Sequence, residues 1–78
     1  MRVVVVLYGD LRKYARDGET KIEVEVEVDT TVGALLSQLG VTKSTAWNAA
    51  LDGKIAHTDD RLADESVLTV FPPIAGGG

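Results

Sequence analysis

Residues 21–28 read KIEVEVEV, and no other stretch limits the fold as tightly. Ile22, Val24, Val26 and Val28 alternate with Lys21, Glu23, Glu25 and Glu27. Successive side chains of an extended chain point to opposite faces, so this segment predicts a strand with one apolar and one acidic face. Such a strand needs a sheet to join and a layer to cover its apolar side. Its glutamates read either as an acidic docking strip or as a solvated sheet face, and the solvated face is preferred.

The neighbours of this segment supply both needs. Residues 2–8 (RVVVVLY) are apolar on both faces, as in a central strand. Gly9-Asp10 ends that run, and Asp10 is the expected N-cap of a short helix over residues 11–15, with Leu11, Tyr14 and Ala15 on one face. Residues 16–19 form the turn into the alternating strand. Beyond it, Thr31 is the expected N-cap of a longer helix. Its Val32, Leu35, Leu36 and Leu39 fall at i, i+3, i+4 and i+7, and Gly40 caps the C-terminus. Trp47 to Leu51 and Lys54 to Ala56 predict a hairpin about Asp52-Gly53, because both central positions of a type I′ turn need positive φ. Leu62 is expected in the core beneath a polar loop at residues 57–61. Asp64-Glu65-Ser66 then turns into a last strand, Val67 to Phe71.

With 78 residues the chain makes one domain, with room for one helical layer on one sheet. The short link between the first two strands favours antiparallel pairing. Placing the last strand beside the first, in parallel, gives an α+β fold: a mixed sheet of four to five strands with one main helix packed across one face. That is the β-grasp arrangement. Residues 1–71 form the domain, and residues 72–78 are expected to be an extended, flexible C-terminal tail.

Composition removes several functions. There is no cysteine, which excludes disulfides, thiolate metal sites and cysteine nucleophiles, and the single histidine, His57, argues against a metal centre. A net charge of −4 argues against nucleic-acid binding. The apolar run after Arg2 is too short for a membrane span and lacks a signal-peptide pattern, so the expected location is the cytoplasm. No nucleophile–base pair is visible, which argues against an autonomous enzyme. Arg12, Lys13 and Arg16 read as a solvated helix side, Trp47 as a packing residue, His57 as a loop residue, and Tyr8 and Tyr14 as packing.

The ending carries the chemistry. Phe71-Pro72-Pro73-Ile74-Ala75-Gly76-Gly77-Gly78 follows a β-forming run and holds no charged side chain. Pro72 and Pro73 cannot donate backbone hydrogen bonds and favour an extended path away from the body. At roughly 3.3–3.6 Å per extended residue, the chain from Pro72 reaches up to about 25 Å. Glycines without side chains can thread a narrow channel and let a partner's backbone close on them. The working group is then the terminal carboxylate. Adenylation makes such a carboxylate electrophilic. A sulfur nucleophile can displace AMP to leave a thiocarboxylate, or a lysine amine can take the acyl group as an isopeptide.

These residues resemble the MoaD/ThiS sulfur-carrier family of small ubiquitin-like β-grasp proteins. The resemblance rests on the VxVxLYGxLR start (Val3 to Arg12), Thr31-Val32-Gly33-Ala34-Leu35-Leu36, Leu51-Asp52-Gly53, Leu62-Ala63-Asp64 and the Phe-Pro-Pro-x-x-Gly-Gly ending. The last of these is the specific one, and the likeness is greatest to the molybdopterin-synthase small subunit. It implies that an E1-like adenylyltransferase activates the terminal glycine with MgATP, that a sulfurtransferase supplies sulfur, and that a larger catalytic subunit receives it. No cofactor or metal would be bound by the chain itself. Gly76 and Gly77 would thread the partner's channel, and Phe71, Pro72, Pro73, Ile74 and Ala75 would contact the partner. A third glycine moves the reactive carboxylate to Gly78. Other acceptors (thiazole, tRNA, cysteine) and a ubiquitin-like modifier role are the alternatives. Glu65 stands where relatives often have glycine.

Overall fold

The computed structural model describes residues 1–15, 20–42 and 44–73. Within them the chain forms β1 (Arg2–Leu7), a 3₁₀ helix (Gly9–Tyr14), β2 (Lys21–Glu25), α1 (Val32–Gln38), β3 (Asn48–Leu51), β4 (Lys54–Ala56) and β5 (Val67–Phe71). The strands make one five-stranded sheet of order β2-β1-β5-β3-β4. β1 pairs antiparallel with β2 and parallel with β5, and β3 lies antiparallel to both β5 and β4. The expected mixed sheet is therefore present, with the last strand at its centre.

Side-chain alternation divides the sheet into two faces. Val3, Val5 and Leu7 of β1 and Leu68 and Val70 of β5 are fully buried. They share one cluster with Val32, Leu35 and Leu36, the apolar stripe of α1. Each such side chain contributes about 1.5–3 kcal/mol by leaving water, so this two-layer core is the main source of stability. Leu11, Leu62 and Val41 close its margins.

Local chemistry fixes the ends of α1. The Thr31 hydroxyl accepts from the Ala34 N–H at 3.2 Å, the expected N-cap. At the other end Leu39 is the cap residue, and Gly40 follows it at φ 101°. The Gly40 N–H donates to the Ser37 carbonyl and the Val41 N–H to the Leu36 carbonyl, both at 3.0 Å. This is a Schellman ending, and buried Val41 and Leu36 are its usual apolar pair. The hairpin turn also matches, with φ of 49° at Asp52 and 88° at Gly53.

Four readings need correction. β2 stops at Glu25, although the alternation runs to Val28. Arg2 pairs with Glu25, and Val26 and Met1 exchange backbone hydrogen bonds beyond it. The Glu27 carbonyl then accepts from the N–H and the hydroxyl of Thr30, and Asp29 takes φ 72°. Val28 is left 76% exposed instead of buried. The short helix is a 3₁₀ helix that starts at Gly9, and Asp10 does not cap it. Tyr8 holds the cap position and makes no side-chain cap bond. Tyr8 is also exposed instead of packed, because Leu7 takes the inward position before it. The first strand ends at Leu7 and the third begins at Asn48, each one residue inside the expected range. The turn expected at residues 16–19 lies outside the described residues.

The acidic face of β2 is solvent-exposed. Glu23 and Glu65 flank the Arg2 guanidinium at 3.2 and 3.5 Å, and these carboxylates, Glu65 first, hold it above its usual arginine value. The Arg2 N–H donates to Asp64 at 2.8 Å, and the Glu65 N–H donates to the Arg2 carbonyl at 2.7 Å. Together they clasp the 64–66 turn to the start of β1.

Candidate functional site: the root of the C-terminal tail

The parallel pairing of β1 with β5 decides where the tail leaves the sheet. The Val4 N–H donates to the Ser66 carbonyl and the Tyr8 N–H to the Val70 carbonyl, both at 3.0 Å. In a parallel ladder the next bond would run from residue 72 to the Tyr8 carbonyl. Residue 72 is proline and has no N–H to give. The Tyr8 carbonyl instead accepts from the Leu11 N–H at 3.2 Å, the first turn of the 3₁₀ helix. Pro72 thus ends pairing in the middle of the sheet while its neighbour turns away.

Gly9 lies beside this exit. Its φ is 60°, a left-handed conformation that glycine adopts without penalty. A Cβ on Gly9 would lie 2.9 Å from Pro72 Cγ and 3.3 Å from Pro72 Cδ. The backbone of Gly9 therefore backs directly onto the Pro72 ring. This contact was not read from the sequence, where Gly9 marks only the end of the strand. The signal available was the glycine itself, but its partner is at the other end of the chain.

Of the expected partner-contacting residues, Phe71 is half-buried at the end of β5, and Pro72 and Pro73 are exposed. Ile74, Ala75, Gly76, Gly77 and Gly78 lie outside the described residues. Phe71 joins the face of the sheet opposite α1. Along that face Val6 pairs with Thr69, Thr69 with Ala50, and Ala50 with Ile55, while Val4 pairs with Val67. Ile55 is 70% exposed and Tyr8 50%. The face is short of charge at its centre and carries Lys21, Glu23 and Glu25 along its β2 margin.

Elsewhere the chain offers less chemistry. Trp47 is half-buried against the core, in keeping with a packing role. The Tyr14 hydroxyl meets that of Thr45 at 3.3 Å, and Lys13 sits 5.4 Å from the Tyr14 ring centroid. His57 is exposed, and its backbone N–H donates to the Asp60 carboxylate at 2.8 Å. Among the described residues, no group of three or more His, Asp or Glu is placed to hold a metal ion. No helix among them is long and apolar enough to cross a membrane.

A five-stranded mixed sheet with a central parallel pair and one helix across it defines a small ubiquitin-like β-grasp protein. The chain belongs to the ThiS family, whose family model matches residues 5–77. Solved structures agree on the fold. Small archaeal modifier protein 1 from Haloferax volcanii is 25% identical, with 94% of this chain and 98% of that one covered at a TM-score of 0.75. Molybdopterin converting factor subunit 1 from Pyrococcus furiosus is 23% identical over 94% and 98%, with a TM-score of 0.76. A complex of subunits 1 and 2 of the molybdopterin-converting factor from Helicobacter pylori matches at 19% identity over 99% and 100%, with a TM-score of 0.65. No curated protein matches the chain significantly.

Proposed function

We propose that this protein is a sulfur carrier whose C-terminal glycine carboxylate is adenylated, sulfurated and used as a sulfur donor, in molybdopterin biosynthesis. The observation that carries the reading is the exit of the tail. The central strand of the sheet ends at a proline that stops its ladder, and a charge-free, glycine-terminated segment follows. The family match extends along that segment to Gly77.

The chemistry proceeds in three steps. A carboxylate oxygen of Gly78 attacks the α-phosphorus of MgATP in an E1-like adenylyltransferase and releases pyrophosphate. A sulfurtransferase then delivers sulfur as a persulfide. Its terminal sulfur attacks the acyl carbon and expels AMP, and reduction of the resulting acyl disulfide by a thiol leaves the thiocarboxylate. In this scheme the chain binds neither ATP nor magnesium itself. It is a protein cosubstrate, not an enzyme on its own, and acts in the cytoplasm where ATP and its partners are found. Gly76 and Gly77 thread the partner's channel. Phe71, Pro72, Pro73, Ile74 and Ala75, with the apolar sheet face that adjoins Phe71, meet the larger catalytic subunit. The Helicobacter pylori protein is solved with its subunit 2, which supports a larger partner of this kind.

A second reading, a ubiquitin-like modifier forming isopeptide bonds through the same carboxylate, is favoured by the likeness to small archaeal modifier protein 1. One experiment separates the two. The protein is incubated with its organism's adenylating enzyme, MgATP and a sulfur source, and its intact mass is measured. Replacement of one oxygen by sulfur in the Gly78 fragment supports the carrier. An AMP adduct without sulfur, together with lysine conjugates in cells, supports the modifier. Removal of Gly78 is expected to abolish activation and leave the melting temperature unchanged. Full activation of the protein ending at Gly77 would move the reactive carboxylate to that residue.

A further inference from the structure

We propose that Gly9 is a positioning residue for the activated tail: its bare backbone is the seat of the Pro72 ring and sets where the tail leaves the sheet. The proposal rests on the sulfur-carrier reading above and adds a residue to it. Two independent constraints meet at this position. The positive φ of Gly9 turns β1 into the 3₁₀ helix, and the space where a Cβ would stand is filled by Pro72. The ladder fixes the same spot from the other side, since Pro72 is the residue that would next have donated to the Tyr8 carbonyl. The register up to Val70 holds the chain in place beside Tyr8, so relief of a clash at Gly9 must come from the ring moving away from it.

An added methyl group forces that outward move. The built distance of 2.9 Å to Pro72 Cγ is well inside ordinary carbon–carbon contact, at about 3.5–4.0 Å, so the ring must shift by roughly 0.5–1 Å. A displacement of that size shifts the point where the tail enters the partner's channel, and the side-chain-free glycines beyond take up part of it before it reaches the carboxylate. Misplacement by about 1 Å can lower a rate up to about 100-fold. Gly9→Ala is therefore expected to lower kcat/KM for pyrophosphate release by the adenylating enzyme about tenfold.

Backbone strain at positive φ would also follow from Gly9→Ala, and a double-mutant cycle with Pro72→Ala separates it from the clash. Each loss is taken relative to its own background, because Pro72→Ala also restores an N–H and alters a partner-contacting residue. Strain belongs to Gly9 alone, whereas the clash needs the Pro72 ring. The four full-length proteins are assayed for pyrophosphate release and for thermal stability, and the wild type and Gly9→Ala also by nuclear Overhauser contacts between residue 9 and the Pro72 ring. The expected result is a wild-type contact from Gly9 Hα to Pro72 Hγ, a shifted ring in Gly9→Ala, and a loss of activation that shrinks to less than about twofold in the Pro72→Ala background. Equal losses in both backgrounds would overturn the proposal, as would normal activation of Gly9→Ala by an enzyme that activates the wild type. A wild type that is never activated would instead remove the sulfur-carrier reading, and the functional role of Gly9 with it.

Discussion

Gly33 sits in the first turn of α1, where replacing glycine by alanine normally stabilises a helix by up to about 1 kcal/mol. Here the opposite sign is expected. A Cβ on Gly33 would overlap the Thr58 Cγ2 methyl and come within 3.2 Å of the Thr58 carbonyl oxygen. The methyl group can be turned aside by a rotamer change, at a cost. The carbonyl cannot, because it accepts the Gly33 N–H at 2.9 Å. Overpacking of this kind costs about 1–3 kcal/mol, and a midpoint of about 2 kcal/mol against a helical gain of about 1 kcal/mol leaves Gly33→Ala destabilised by about 1 kcal/mol. In a domain of this size that lowers the melting temperature by roughly 4–8 °C. Thr58→Ser removes the methyl group alone, so Gly33→Ala in that background should fall within about 0.5 kcal/mol of neutral. Urea titrations of the four proteins at a common m-value measure the cycle. A Gly33→Ala protein more stable than the wild type would show that the 57–60 loop gives way freely, and the packing argument would be wrong.

Two further stability measurements probe the sheet. Leu68 is fully buried in the central strand, so Leu68→Ala should cost about 2–5 kcal/mol by circular-dichroism melting, and a cost below about 1 kcal/mol would mean the helix settles into the cavity. Glu65 holds φ 64°, which glycine adopts more easily by about 1–2 kcal/mol, while glycine's extra unfolded-state freedom returns about 0.4–1 kcal/mol. The exposed Arg2–Glu65 pair contributes little, so Glu65→Gly should stabilise by roughly 0.5 kcal/mol, and a clear loss would assign the clasp to that ion pair.

The fold was legible where one residue type settles one local question. Thr31 could cap, Gly40 could reverse the chain, and Asp52-Gly53 could make a tight turn, and each does so. The parallel placement of the last strand followed from topology and from the apolar character of both strands. What misled was extrapolation along a pattern. KIEVEVEV shows which side chains can face inward, but the length of β2 is set by the strand it pairs with, and that strand starts at Arg2. Val28 keeps the alternation and has no sheet to bury it. Tyr8 misled in the same way: an aromatic residue after a buried run reads as core, yet strict alternation from Leu7 turns it outward.

The site shows the same division more sharply. The proposal that the glycine tail carries the chemistry comes from the sequence alone, from a charge-free Phe-Pro-Pro-x-x-Gly-Gly ending, and not from the described residues. How the tail is aimed was not readable, because aiming depends on one missing donor and one missing side chain at opposite ends of the chain. Pro72 has no N–H to give the Tyr8 carbonyl, and that carbonyl accepts from Leu11 at the start of the 3₁₀ helix. The same helix begins at Gly9, which has no Cβ to hold the proline ring away. The two absences meet at one place, so strand end, helix start and tail exit form a single unit. A carbonyl oxygen can accept two hydrogen bonds, so a donor restored at residue 72 would share the Tyr8 carbonyl with the Leu11 N–H without displacing it. Because the chain turns away at Gly9, the ladder would gain that one bond and no more, and the bend at Gly9 sets the limit of pairing as firmly as the proline does.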